Sequence, residues 1–177
     1  MVTTTGYASA DFELWAPGAK HLLFMGMFLG GMVGSTTCSI KSLRWMVALK
    51  AFKRDLYTSI HPESVRPVRN SGAPVDEETI RDIYAYILLS VVIFFLFTVF
   101  VVVDAERADL RVTEFEAMGA AASTFLNIGP AFGAAGPYGT YASFPLSTRA
   151  VMIVLMWIGR IEIIPVLVLF TKSFWTS

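Results

Sequence analysis

Two short strings in this chain could do chemistry with their backbone rather than their side chains. Thr3-Thr4-Thr5-Gly6-Tyr7 lies near the start, and Asn127-Ile128-Gly129-Pro130 repeats the order of small polar residue, apolar residue and glycine. Glycine permits the φ > 0 backbone that turns successive carbonyls toward one axis. Carbonyls aimed in that way can take over the water shell of a cation. Arg160 is the third candidate, because it stands near the middle of an apolar run, where insertion scales assign an arginine about 2.5–3.5 kcal/mol. Glu162 follows two residues on, and positions i and i+2 do not face each other on a helix. Arg160 is therefore expected to face a bundle interior or a water-filled cavity, or to be a structural arginine bonded to helix-breaking carbonyls. Both roles can hold together. His21, His61 and the single Cys38 form no metal-ligand set, and one cysteine rules out an internal disulfide. With no acid pair at ligand spacing and no nucleophile–base set in the apolar runs, an enzyme is not expected.

The elements that must position these residues are apolar and long. Of 177 residues, 55% are hydrophobic and 16% charged, with zero formal net charge, so nothing invites nucleic acid and the surface charge of a soluble domain is missing. Residues 83–103 carry no charge, and that is the length a helix needs to cross a bilayer core of about 30 Å. Residues 150–170 form a second run, interrupted by Arg160 and Glu162, and residues 21–39 a third, rich in glycine. Asp11 and Glu13 precede the first run without a basic stretch, so residues 1–15 do not read as a signal peptide. Between the first two runs in chain order lie Lys41, Arg44, Lys50, Lys53, Arg54, Arg66, Arg69 and Arg81. Between the last two, Arg107, Arg111 and Arg149 are outnumbered by Asp104, Glu106, Asp109, Glu114 and Glu116. That excess of Lys and Arg predicts that residues 41–81 are cytoplasmic and the N-terminus extracellular.

Local signals add detail. Residues 41–57 space Leu43, Val47, Leu49, Phe52 and Leu56 at near-helical intervals, which predicts an amphipathic helix continuing the first span. His61-Pro62 should end it. Residues 66–75 read as two extended pieces about Asn70-Ser71-Gly72, and Asp76 should cap the next helix through its side chain. Thr113 and Glu116 form a capping box ahead of an alanine-rich helix too short to span a bilayer. A short helix followed by irregular, glycine-rich backbone is what a re-entrant loop looks like, the alternative being an ordinary extracellular loop with one surface helix. Gly26, Gly30, Gly31 and Gly34 either pack helices closely or, with Ser35, Thr36 and Thr37, mark a helix break whose loop obstructs a path.

The T-T-G-Y string is similar to the potassium-channel filter TVGYG. Residues 127–175 (NIGPAFGAAGP, FP, MWIGRIEIIPVLVLF, FW) resemble the last repeat of the Trk/Ktr potassium-transporter pore subunits, with a G-N-x-G-P-G filter and an M-x-x-G-R-L-E final helix. GGMVGSTTCSIKSLRW, residues 30–45, is similar to that family's broken helix, and His61-Pro62, Val65, Pro67, Val68 and Gly72 match its cytoplasmic connector. The sequence departs in two places: Cys38-Ser39 replace a glycine pair, and Ala131 replaces the second filter glycine. The resemblance implies an all-α integral membrane fold of span, re-entrant pore loop and span, repeated about one potassium-channel-like pore. It implies a partial third repeat over 1–53, a cytoplasmic connector over 54–79, and the fourth repeat over 80–177. Thr4, Thr5, Gly6, Tyr7, Asn127, Ile128, Gly129 and Pro130 are then expected to bind K⁺ as the transported ion, with no organic cofactor. Gly34, Ser35, Thr36 and Arg160 are expected to form a gate. Expected partners are the missing N-terminal half of the subunit, a second copy in a homodimer, a cytosolic nucleotide-binding regulatory subunit of the TrkA/KtrA kind, and membrane lipid. The expected location is the cell membrane, a prokaryotic inner membrane. The chain is expected to be a fragment or to be completed by another polypeptide, since two filter strings cannot surround an ion. A Na⁺-permeable relative and a truncated, non-conducting remnant are the alternatives.

Overall fold

Proline, glycine and capping residues divide the chain into helices, as a computed structural model covering residues 3–31, 40–161 and 175 describes. Helix α1, Pro17–Met27, opens on a proline at its first turn, where the missing N–H would have lacked a helical partner anyway. Regular helix stops there. The Gly30 N–H donates to Ile40 O at 3.0 Å, and the Ser42 N–H donates to Gly31 O at 3.1 Å. A methyl group on Gly30 would lie 2.5 Å from Ile40 O, so glycine alone admits this approach.

Two expectations change here. Helix α2, Ser42–Ile60, does not continue α1 as one helix, because α1 ends at Met27 and Gly30 and Gly31 are hydrogen-bonded to Ile40 and Ser42. Gly30 and Gly31 lie beyond the end of α1, so they form no helix-packing G-x-x-x-G face and serve a close backbone crossing instead. Gly34, Ser35, Thr36 and Thr37 lie outside the described residues.

Helix α2 buries Val47, Ala48 and Ala51 and ends at His61, whose extended backbone (φ −125, ψ 78) is what a following proline imposes. The expected extended pieces are present as β1, Arg69–Asn70, and β2, Ala73–Pro74, paired antiparallel with Asn70 opposite Ala73. Ser71 and Gly72 both take positive φ, 50 and 89, which is the tight hairpin turn whose twist suits the flanking strands.

Helix α3, Glu77–Arg107, has 31 residues and is about 46 Å long at the usual rise. It is long and apolar enough to cross a membrane, the one such helix among the described residues. Asp76 sits at its N-cap, but its side chain makes no capping bond, contrary to expectation. Glu77 and Glu78 in the first turn supply the negative charge that a helix start favours, and Glu77 is drawn to Arg54.

Helix α4, Glu114–Phe125, carries the expected capping box in full: the Glu116 N–H donates to Thr113 Oγ1 at 3.3 Å, and the Thr113 N–H to Glu116 Oε2 at 3.1 Å. Its residues Ala117 and Gly119 to Phe125 are buried, because small side chains let α1, α3 and α5 close around it. Helix α5, Leu146–Ile161, starts four residues before the predicted apolar run. Its polar first turn is helical because Asp104 of α3 accepts from Ser147 Oγ and Thr148 Oγ1, each at 2.5 Å, and so anchors the start of α5. The remainder of the run past Ile161 lies outside the described residues.

Candidate functional site

Helix α4 delivers the second string through the way it ends. Leu126 is its C-cap, and Asn127 follows with φ 52. The Ile128 N–H donates to Ser123 O at 2.9 Å and the Asn127 N–H to Thr124 O at 3.3 Å. This pair of bonds closes a helix through a left-handed residue, a place asparagine tolerates after glycine. Asn127 Nδ2 then donates to Met156 O of α5 at 2.9 Å. The string is therefore tied to two helices within its first residue.

The first string has the same backbone signature. Thr4 and Gly6 take φ 50 and 81, as Asn127 and Gly129 take 52 and 110. In each string the left-handed residues are two apart, with Thr5 or Ile128 between them. The strings also lie against each other: a methyl on Gly6 would come 2.9 Å from Ile128 O, and one on Gly129 would come 3.5 Å from Gly6 Cα. Sequence reasoning paired the strings by pattern, and the fold brings them together across 120 residues of chain.

Their oxygens are treated unequally. Among the described residues, no hydrogen bond reaches the carbonyls of Thr4, Thr5, Gly6, Asn127 or Ile128. The Gly129 carbonyl accepts from Tyr141 Oη at 2.8 Å and Ser123 Oγ at 2.8 Å, and the Pro130 carbonyl lies 2.9 Å from Ser123 Oγ. Gly129 and Pro130 therefore turn their oxygens into the protein. Burial pushes the Tyr141 phenol up to about 12, so it stays a proton donor across the physiological range. Tyr7 is 89% exposed.

Glu13, Ser123 and Tyr141 escaped the sequence reading. Glu13 Oε1 accepts from the Gly133 N–H at 2.8 Å while its other oxygen pairs with Lys20 at 2.8 Å. It thus braces the segment after the first string against the loop after the second. Phe12 and Phe132 add an edge-to-face contact at 5.7 Å, and the Phe132 ring occupies the space that a side chain on Gly119 would need. A lone serine on an otherwise apolar helix face was the one signal for Ser123. Glu13 and Tyr141 gave none.

Arg160 is exposed on α5. It follows Gly159, where any side chain would collide with Phe125 O and approach Asn127 Nδ2 to 2.9 Å. Arg160 therefore leaves α5 at the level where α4 gives way to the second string. Its expected gate companions Gly34, Ser35 and Thr36 lie outside the described residues.

Comparison with known proteins gives the family. A family model described as "TrkH: Cation transport protein" matches residues 1–176. Trk system potassium uptake protein TrkH of Halomonas elongata is 35% identical over 175 residues, covering 99% of this chain and 35% of the relative. Trk system potassium uptake protein TrkG of Escherichia coli K12 is 32% identical over 182 residues, covering 100% of this chain and 35% of the relative. The crystal structure of the potassium transporter TrkH from Vibrio parahaemolyticus superimposes with a TM-score of 0.85 at 25% identity, over 98% of this chain and 36% of that one. The chain thus spans about a third of the length of the relatives it matches, and its helices take an all-α transporter fold. Over all but its last residue it belongs to the TrkH family of cation transport proteins.

Proposed function

We propose that this segment forms part of the potassium path of a membrane-embedded TrkH-type pore subunit, with K⁺ held by backbone carbonyls. The observation that carries the reading is the pair of adjoining strings with matched backbone inversions at Thr4, Gly6, Asn127 and Gly129. Relatives named as potassium uptake proteins support the choice of ion. In this reading the cation exchanges water for the carbonyls of Thr4, Thr5, Gly6, Asn127 and Ile128, and the rest of the subunit completes the ring. Tyr7, Gly129 and Pro130 belong to the filter as residues that shape it. The C-terminal end of α4 faces the second string, and its partial negative charge favours a cation there.

The wider architecture follows. Residues 1–53 form part of a third repeat, 54–79 a cytoplasmic connector, and 80–177 a fourth repeat in which α4 is the re-entrant pore helix and α3 a span. Leu88, Val91, Val92, Phe95, Leu96 and Val99 are exposed along α3, as lipid or neighbouring helices require. The basic 41–81 segment lies on the cytoplasmic side of a prokaryotic inner membrane, where a nucleotide-binding regulatory subunit would dock, and the subunit pairs with a second copy. Gly34, Ser35, Thr36 and Arg160 act as the gate below the filter.

Gly6→Ser in the complete subunit tests the reading. The new side chain meets both a left-handed backbone and Ile128 O at 2.9 Å, so the carbonyl array must shift. The expected result is a K⁺/Na⁺ flux ratio lowered by about tenfold, equivalent to about 1.4 kcal/mol of discrimination. An unchanged ratio at normal protein level would remove the filter assignment. A wild-type ratio near one would replace potassium by a Na⁺-permeable relative.

A further inference from the structure

The second string ends against two hydroxyl groups, and counting their protons gives them a role. Gly129 O and Pro130 O are two acceptors; Ser123 Oγ lies 2.8 Å from the first and 2.9 Å from the second, and Tyr141 Oη lies 2.8 Å from the first. A serine hydroxyl has one proton to donate, as does a tyrosine hydroxyl. The consistent arrangement gives the Tyr141 proton to Gly129 O and the Ser123 proton to Pro130 O. Both carbonyls are then satisfied by side chains of the protein. Ser123 is 1% exposed, so water has no ready access to the serine side of the pair. Tyr141 is itself held, in the turn Tyr141–Ser143, by Thr140 at its N-cap and by packing against Phe144 at a 6.0 Å centroid distance.

We infer that Ser123 and Tyr141 form a two-proton clamp that fixes the Gly129 and Pro130 carbonyls outside the ion path, and that this clamp sets the potassium selectivity of the second string. The inference rests on the proposed reading of the strings as a filter. Without the Tyr141 proton, one serine proton serves two carbonyls, and one of them loses a hydrogen bond. The Gly129 peptide then gains by turning its oxygen toward the cation. That oxygen turns with ψ of Gly129, which the missing Cβ leaves soft, while the Pro130 ring fixes φ on the other side, so Pro130 moves with it. An added oxygen in the path narrows it and suits a smaller ion.

The test is Tyr141→Phe in the complete subunit, which removes one oxygen and keeps the ring. Tyr138→Phe, at a 74% exposed tyrosine, is the matched control, and Gly6→Ser reports on the filter reading itself. Rubidium and sodium uptake are measured, normalised to folded protein in the membrane. Tyr141→Phe is expected to lower the Rb⁺/Na⁺ ratio by about three- to tenfold, the span of one net hydrogen bond, while Tyr138→Phe leaves it unchanged. Ser123→Ala is expected to lower it also, and Ser123→Thr, which restores a hydroxyl, to recover part of it. A normal ratio in Tyr141→Phe with an altered one in Gly6→Ser would overturn the clamp and leave the filter reading standing. Equal loss of both fluxes at a constant ratio would overturn it too, as a purely structural role. Normal ratios in both variants would overturn clamp and filter together.

Discussion

Asn127 is a residue on which three demands meet. It ends α4 in the left-handed region at φ 52, which costs most L-residues about 1–2 kcal/mol. Its side chain reaches Met156 O at 2.9 Å, and its carbonyl begins the second string. Asparagine suits the first demand because its short polar side chain tolerates that conformation, and suits the second because its amide donates. Arg160 is the other singular residue. A fixed positive charge beside a cation path repels the passing ion far more strongly in a low-dielectric site than in water. If it obstructs the path, Arg160→Ala in the complete subunit raises rubidium uptake per folded protein several-fold, whereas Arg160→Lys, which keeps the charge, changes it less. Uptake at or below wild type in Arg160→Ala would leave Arg160 as scaffold alone.

The elements hold the strings through contacts that only small residues permit. Gly159 of α5 lies directly on Phe125 O, so a side chain there would collide with the end of α4. Gly159→Ala must push α5 away from Asn127 and break its bond to Met156 O. Overpacking of this kind costs about 1–3 kcal/mol, seen as a lowered Tm of the complete subunit, and the K⁺/Na⁺ ratio should fall with it. A variant with wild-type Tm and ratio would refute the packing argument. Much of this scaffold was legible in the sequence. The capping box at Thr113 and Glu116, the hairpin at Ser71-Gly72 and the stop at His61-Pro62 follow from local chemistry, and the two strings were matched by their shared pattern. What stayed hidden was non-local. No pattern near Asp104 announces that it anchors a helix 43 residues later, and none at Glu13 announces a bond 120 residues away. The return of the chain at Gly30 likewise depends on Ile40, so a helix-packing motif and a backbone crossing looked alike.

At the scale of the molecule, α4 is enclosed by α1, α3 and α5, and its buried alanines and Phe132 form one core with the second string. Ile128 is 2% exposed and Ala131 is fully buried, so both side chains belong to the core, while among the described residues no hydrogen bond reaches the carbonyls of Asn127 and Ile128. In the proposed reading, that division lets a rigid scaffold present backbone oxygen to an ion without using side-chain charge. It also explains the composition: an apolar chain of zero net charge can bind a cation if the ligands are peptide dipoles. The most direct measurement of this claim is anomalous diffraction from crystals of the complete subunit soaked in rubidium. The account predicts a rubidium peak in contact with Asn127 O and Ile128 O and with the carbonyls of Thr4 to Gly6, lost on exchange into sodium. A peak coordinated by side chains elsewhere, or no peak between the two strings at saturating rubidium, would contradict it.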